Sequence, residues 1–329
     1  MTDTHQPIVD STIQSLADVK QQPFATWSTF WVAFTILFII FNMKNMPAIW
    51  HVRILNSFRF VLRSQRPRVP LQPSHIFQPL ITSSSAQLME IDFNLHKSNS
   101  SYFADADIAR SHLVCTLFAE GIATMRGGAN AYTGSGQPIF GLALGAVSCS
   151  FRRELMPYEK YEMWTKILAW DEKWLYIVTH FVKKGAVRPG SHSLYPEQAG
   201  DDQDPRLDME ENVFDLEKNL FATALSKCVF KSGRKTVAPE LMLRLSGLLP
   251  TRDEDKKDKY AATLRGIEIE RLRGMEMAQI LAARNQRPLE AEFTGSNRET
   301  LGRHSDGAGL LGLFGTGLNI LRLRKTPIW

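Results

Sequence analysis

From Ser100 to Glu120 the chain runs without a proline or a glycine, and large apolar residues fall on nearly every side of the helix it would form. Phe103, Ile108, Leu113, Val114, Leu117 and Phe118 surround much of the circumference, so such a helix must be enclosed on several sides rather than laid on a surface. A curved antiparallel sheet wrapped around it meets that demand. Gly127 and Gly128 end the segment. Strand-like runs follow at residues 142–151, 161–169, 174–183, 222–230 and 240–245, and Asp171, Glu172 and Lys173 read as the hairpin turn between two of them. The fold class is therefore α+β: one strand, a long helix, then an antiparallel meander.

The segment leading into the helix carries the chemistry. Residues 88–93 alternate as a short strand would, Asp92 ends the run, and Ser98 or Asn99 is a good N-cap for the helix that follows. The first-turn amides of that helix would then lie close to a carboxylate, an arrangement that can hold an oxyanion.

Glu90, Asp92, His96, Ser98, Asn99 and Tyr102 fall at the positions of a D-x-D-x-x-x-H-x-N-N-x-x-Y pattern. In this the chain resembles the hotdog-fold thioesterases, departing by Glu90 for the first Asp and Ser98 for the first Asn. A second block, Ser150 to Leu155 followed by Trp170 to Lys173, is similar to the branch containing thioesterase superfamily member six and fungal natural-product-cluster thioesterases. A weaker likeness continues from Ala222 to Leu243. The resemblance implies an acyl thioester substrate, carried on coenzyme A or a carrier protein, in lipid or polyketide biosynthesis. It implies Asp92 as the catalytic acid, attacking the carbonyl directly or activating a water. His96, Asn99 and Tyr102 become substrate-binding residues, with Asp105 and Asp107 in reserve because other hotdog branches place the acid on this helix. No cofactor and no metal are implied. Hotdog units usually join edge to edge, so a homodimer is expected, its exposed edge assigned to the strand at 161–169. The alternative is a non-catalytic acyl-binding or scaffold protein that keeps the motif for capping alone. A hotdog dehydratase would need a histidine paired with an acid, and His96, His112 and His180 are the histidines within the core.

The formal charge of +5 raises nucleic acid as a partner, but the cations are local. Arg53, Arg59, Arg63, Arg66 and Arg68 form one cluster and Arg322, Arg324 and Lys325 another, with no nucleic-acid-binding signature beside them. Cys115, Cys149 and Cys228 sit in apolar runs without metal or disulfide spacing.

Residues 27–41 are almost wholly apolar and read as a helix of about 15 residues, covering roughly 22 Å against a hydrocarbon core of about 30 Å. With help from its flanks this is a signal anchor, and the positive charge on its C-terminal side leaves the main domain in the cytosol. Trp50, Ile54, Leu55, Phe58, Val61 and Leu62 recur behind it at helical spacing, opposite His51, Arg53, Arg59 and Arg63, as in a helix lying among lipid headgroups. The competing reading is a helix packed on the catalytic domain.

The organisation that follows is a tail (1–26), an anchor helix (27–45), a basic helix with a proline-rich linker (46–79), a hotdog domain (80–250) and a C-terminal helix with an apolar tail (251–329). An acidic insertion at 186–219 reads as a solvated loop, since its spacing does not fit a calcium loop. A helix at 260–285 would pack on the domain or on a second subunit.

Overall fold

The computed structural model describes residues 26–58, 67, 69–125, 140–189, 191–200, 216–250, 257–279 and 318. The chain divides into two units, Met1–Leu281 and Ala282–Trp329, and every described residue except Leu318 lies in the first.

In chain order the elements are α1 (residues 26–41), α2 (Ile49–Asn56), β1 (Leu80–Ser85), α3 (Asn99–Leu117), α4 (Ala119–Met125), β2 (Phe140–Phe151), β3 (Lys160–Trp170), β4 (Leu175–Lys183), α5 (Leu216–Asn219), β5 (Leu220–Ser232), β6 (Lys235–Val237), α6 (Pro239–Leu245) and α7 (Lys257–Ala278). The strands form one antiparallel sheet in the order β1-β3-β4-β5-β2, with β6 paired to β5. The Asp171 turn joins β3 to β4. Asp171 Oδ1 accepts the N–H groups of Lys173 and Trp174 at 2.8 and 2.6 Å.

The sheet encloses α3 as its all-round apolar pattern requires. Along this helix Tyr102, Ala106, Ile108, Ala109, Leu113, Val114, Cys115 and Leu117 are buried. One part of the core gathers on its first half, around Leu155, Tyr161, Met163, Phe181 and Phe221. The other gathers beyond its second half, where Phe118 meets Phe230 edge to face at 5.0 Å beside Ile167, Leu175 and Leu243. Each such side chain contributes about 1.5–3 kcal/mol by leaving water.

The structure departs from two of the expected strands. Residues 88–90 form a turn of 3-10 helix, and β1 lies earlier, at Leu80–Ser85, where a run of serines hid it. Residues 240–245 belong to α6, whose first helical residue, Pro239, suits a helix start. The edge assignment also changes. β3 is interior, paired to β1 and β4, and the long edge strand is β2.

The anchor fails on length. Helix α1, residues 26–41, extends for about 24 Å, and its residues are exposed throughout. No helix among the described residues is long and apolar enough to cross a membrane, so the single-pass anchor, the membrane localisation and the cytosolic orientation drawn from it are withdrawn. The expectation of membrane lipids as partners rested on this span and on the basic helix behind it, and it loses the first. Helix α2 turns a cation inward: Arg53 Nη2 lies 3.0 Å from Asp105 Oδ1, so in its described part this helix is packed on the domain. Arg59, Arg63 and Arg66, most of the acidic insertion (201–215), residues 280–285 and most of the apolar tail lie outside the described residues.

Helix α7 packs against β3, with Arg271 Nη1 donating to Trp170 O at 2.8 Å. The approach is closest at Gly274, where a Cβ would stand 1.9 Å from Leu168 O.

Candidate active site

The turn before α3 is built from its two feet. Ile91 and Lys97 form an antiparallel bridge, Ser98 N donates to Glu90 O at 2.7 Å, and Lys97 N donates to Leu155 O at 2.8 Å. Between them Asp92 N donates to His96 O at 2.9 Å and Leu95 N to Asp92 O at 3.1 Å. Leu95 takes a φ of 65°, a conformation that disfavours a branched side chain. Asp92 Oδ1 accepts the Asn94 N–H at 2.8 Å, which holds the carboxylate against its own turn.

This geometry brings Asp92 and His96 together. His96 Nδ1 lies 3.6 Å from Asp92 Oδ1, and its Nε2 lies 3.5 Å from Glu154 Oε1, a residue just beyond β2. An imidazole thus stands between two carboxylates at separations slightly longer than a hydrogen bond, in a turn that delivers the chain to a helix N-terminus. Asn99, the first residue of α3, is exposed. Ser98 occupies the N-cap without a side-chain capping bond, so its hydroxyl does not close the helix end.

The remaining candidates are placed elsewhere. Tyr102 is buried, edge to face with Phe151 at 5.2 Å and Phe181 at 5.0 Å, and Lys97 Nζ lies 5.3 Å from its ring centre. Burial pushes its phenol far above the usual range. Asp107 is paired with Arg110, whose other nitrogen reaches Ser226 Oγ at 3.0 Å. Asp105 is fully buried, with Lys44 Nζ at 2.9 Å, Lys97 Nζ at 3.0 Å and Arg53 Nη2 at 3.0 Å, and it accepts a hydrogen bond from the Tyr161 hydroxyl. Burial alone would raise its pKa. The three cations and the Tyr161 hydrogen bond outweigh burial and hold it well below the usual carboxylate value. A base needs a proton affinity near the working pH, so Asp105 is poorly suited to that role.

Four residues of this region are not among the site residues the sequence points to: Lys44, Glu90, Lys97 and Glu154. Glu90 had a signal, the first acid of the motif, and Glu154 lies in the second block. Lys97 Nζ is 3.0 Å from Glu90 Oε1 but makes no directed hydrogen bond, so charge rather than N–H alignment holds it. Among the described residues no cluster of His, Cys, Asp and Glu could hold a metal ion.

An enclosed helix, a wrapped antiparallel sheet and an acid–imidazole turn at the helix start define a hotdog thioesterase-like protein. The thioesterase-like superfamily matches residues 86–242. The probable thioesterase atnL of Emericella nidulans is 35% identical over 295 residues, covering 82% of this chain and 90% of the relative. Thioesterase poxG of Penicillium oxalicum is 35% identical over 260 residues, 76% of this chain and 82% of the relative. Thioesterase lcsJ of Purpureocillium lilacinum is 34% identical over 256 residues, 68% and 74%. The chain belongs to the thioesterase-like superfamily, and its reaction class is thioester hydrolysis.

Proposed function

We propose that the chain hydrolyses an acyl thioester carried on coenzyme A or on the phosphopantetheine of a carrier protein, as a step in fungal lipid or polyketide secondary metabolism. The fungal relatives named thioesterases support this reading. The observation that carries the mechanism is the 3.6 Å approach of Asp92 and His96 immediately before α3. Asp92 takes a proton from water as the water oxygen attacks the carbonyl carbon. The oxyanion forms facing the first-turn amides and Asn99, in the positive end of the helix dipole. Collapse of the tetrahedral adduct breaks the C–S bond, and the leaving thiolate takes the proton. His96 orients Asp92 and Glu154 orients His96. Tyr102 serves as a packed wall behind the turn rather than as a substrate contact. Direct attack by Asp92, through an anhydride, is the variant mechanism; in ¹⁸O-water under single turnover, opening of that anhydride at the aspartyl carbon labels the Asp92 carboxylate, which the general-base route never does.

The domain assembles as a homodimer through β2. Among the described residues this strand pairs only with β5, and its sequence, from Phe140 to Phe151, has no charge and no proline to deter a partner. The test of function is a hydrolysis screen over acyl-CoA and acyl-carrier thioesters of graded length, with Asp92→Asn beside the native chain. Turnover of none of them returns the scaffold reading.

A further inference from the structure

The family match begins at residue 86, yet a densely charged buried contact of the domain is made by residues well before it. Asn42 Oδ1 accepts the Met89 N–H at 3.0 Å, and Lys44 N donates to Gln87 Oε1 at 2.9 Å. Lys44 Nζ then enters the domain. It reaches Ser85 O at 3.1 Å, Glu90 and Asp105 at 2.9 Å each, and the Tyr161 hydroxyl at 3.0 Å. Arg53, on α2, closes on the other oxygen of Asp105. Residues 42–53 thus form a strap, tied at both ends to the interior.

What the strap holds is the base of the catalytic turn. Glu90 and Lys97 are the residues at the feet of the 91–97 turn, and their side chains pair with each other at 3.0 Å beneath it. Both also belong to the charge lattice: Glu90 pairs with Lys44, and Lys97 with Asp105. Three cations meet two carboxylates. Without Lys44 and Arg53, two buried carboxylates would share Lys97 alone, and breaking a buried pair in this way leaves uncompensated charge where water cannot reach. Strain so placed is relieved by the nearest element able to move, which is the turn.

We propose that Lys44 and Arg53 are positioning residues for thioester hydrolysis, acting through Glu90, Lys97 and Asp105 to fix the turn that carries Asp92 and His96. This rests on the role given to Asp92 above. The strap touches neither Asp92 nor His96 directly.

The test uses the full chain with Lys44→Met, which keeps length and removes charge, Lys44→Arg, which keeps charge, and Arg53→Met. Hydrogen exchange at Asp92–Lys97 should quicken at least tenfold in both Met variants, while the β4 amides, serving as the folding control, stay protected. kcat should fall at least tenfold with KM moving less than twofold, and Lys44→Arg should restore most of both. Unchanged protection of the turn in Lys44→Met overturns the proposal. So does a loosened turn with unaltered kcat, in a protein whose Asp92→Asn variant is inactive. If Asp92→Asn is itself fully active, the loosened turn still establishes the strap, and it is the assignment of Asp92 that falls.

Discussion

Lys44 and Asp105 are 61 residues apart in the chain and meet at 2.9 Å in the interior. Asp105 is held below the usual carboxylate value of 3.8, so it binds a proton less readily in the folded protein than in the unfolded chain. Its contribution to stability is complete above that value and is lost as pH falls below it. The unfolding midpoint should therefore drop more steeply below about pH 4 in the native protein than in Asp105→Asn. At neutral pH the same variant should cost about 3–5 kcal/mol, because buried Lys97 and the partly buried Lys44 and Arg53 lose a shared partner. Parallel acid limbs in calorimetry would show that the lattice does not govern acid stability.

Asp92→Asn keeps an oxygen for the Asn94 N–H and removes the charge. Hydrolysis should fall by at least about a hundredfold with the unfolding temperature nearly unchanged, the scale expected for loss of a positioned acid–base group. Near-normal turnover would take Asp92 out of the mechanism, and Glu154 would be the next carboxylate to test.

If β2 pairs with its counterpart, its amides on both sides are bonded. Light scattering should give twice the chain mass, and hydrogen exchange should find consecutive β2 amides protected. A monomer would protect only alternate amides, those turned toward β5.

Gly274→Ala sets two effects against each other. Alanine favours the helix by up to about 1 kcal/mol, whereas the added methyl meets the Leu168 carbonyl and forces α7 off β3, at about 1–3 kcal/mol. The clash should win, giving a net loss in chemical denaturation. A gain in stability would mean that α7 is only loosely seated.

Cys115, Cys149 and Cys228 are free thiols, pushed up by burial to about 12, 11 and 11. At pH 7.5 an alkylating reagent should label them far more slowly in the native protein than after denaturation, since the thiolate is the reactive form. Rapid native labelling of Cys149, the least buried, would point to opening of the sheet at β2.

The meander and the central helix were legible because both are written in local pattern: alternation in β3 to β5, and apolar residues all around α3. β1 was not, because its Leu-Ile-Thr-Ser-Ser-Ser run alternates weakly, and the 3-10 turn at Leu88–Glu90 imitated a strand over a few residues. Asp92 and His96 could be paired from their spacing. The charge lattice could not, since Lys44 and Arg53 find Asp105 through tertiary packing, which leaves no mark on their neighbours in sequence. Arg53 looked like part of a headgroup-binding face because helical periodicity shows which residues share a side, and not what that side meets.

The strand order also dictates a folding sequence. β3 and β4 are joined by a tight turn and can zip early, while β2, among the described strands, pairs only with β5, which follows both of them in the chain, so its closure entropy is met late and its docking should be among the slow steps. During synthesis β2 emerges from the ribosome well before the strand it needs. For that interval a charge-free strand has both edges open, and the nascent chain is at its most prone to aggregate.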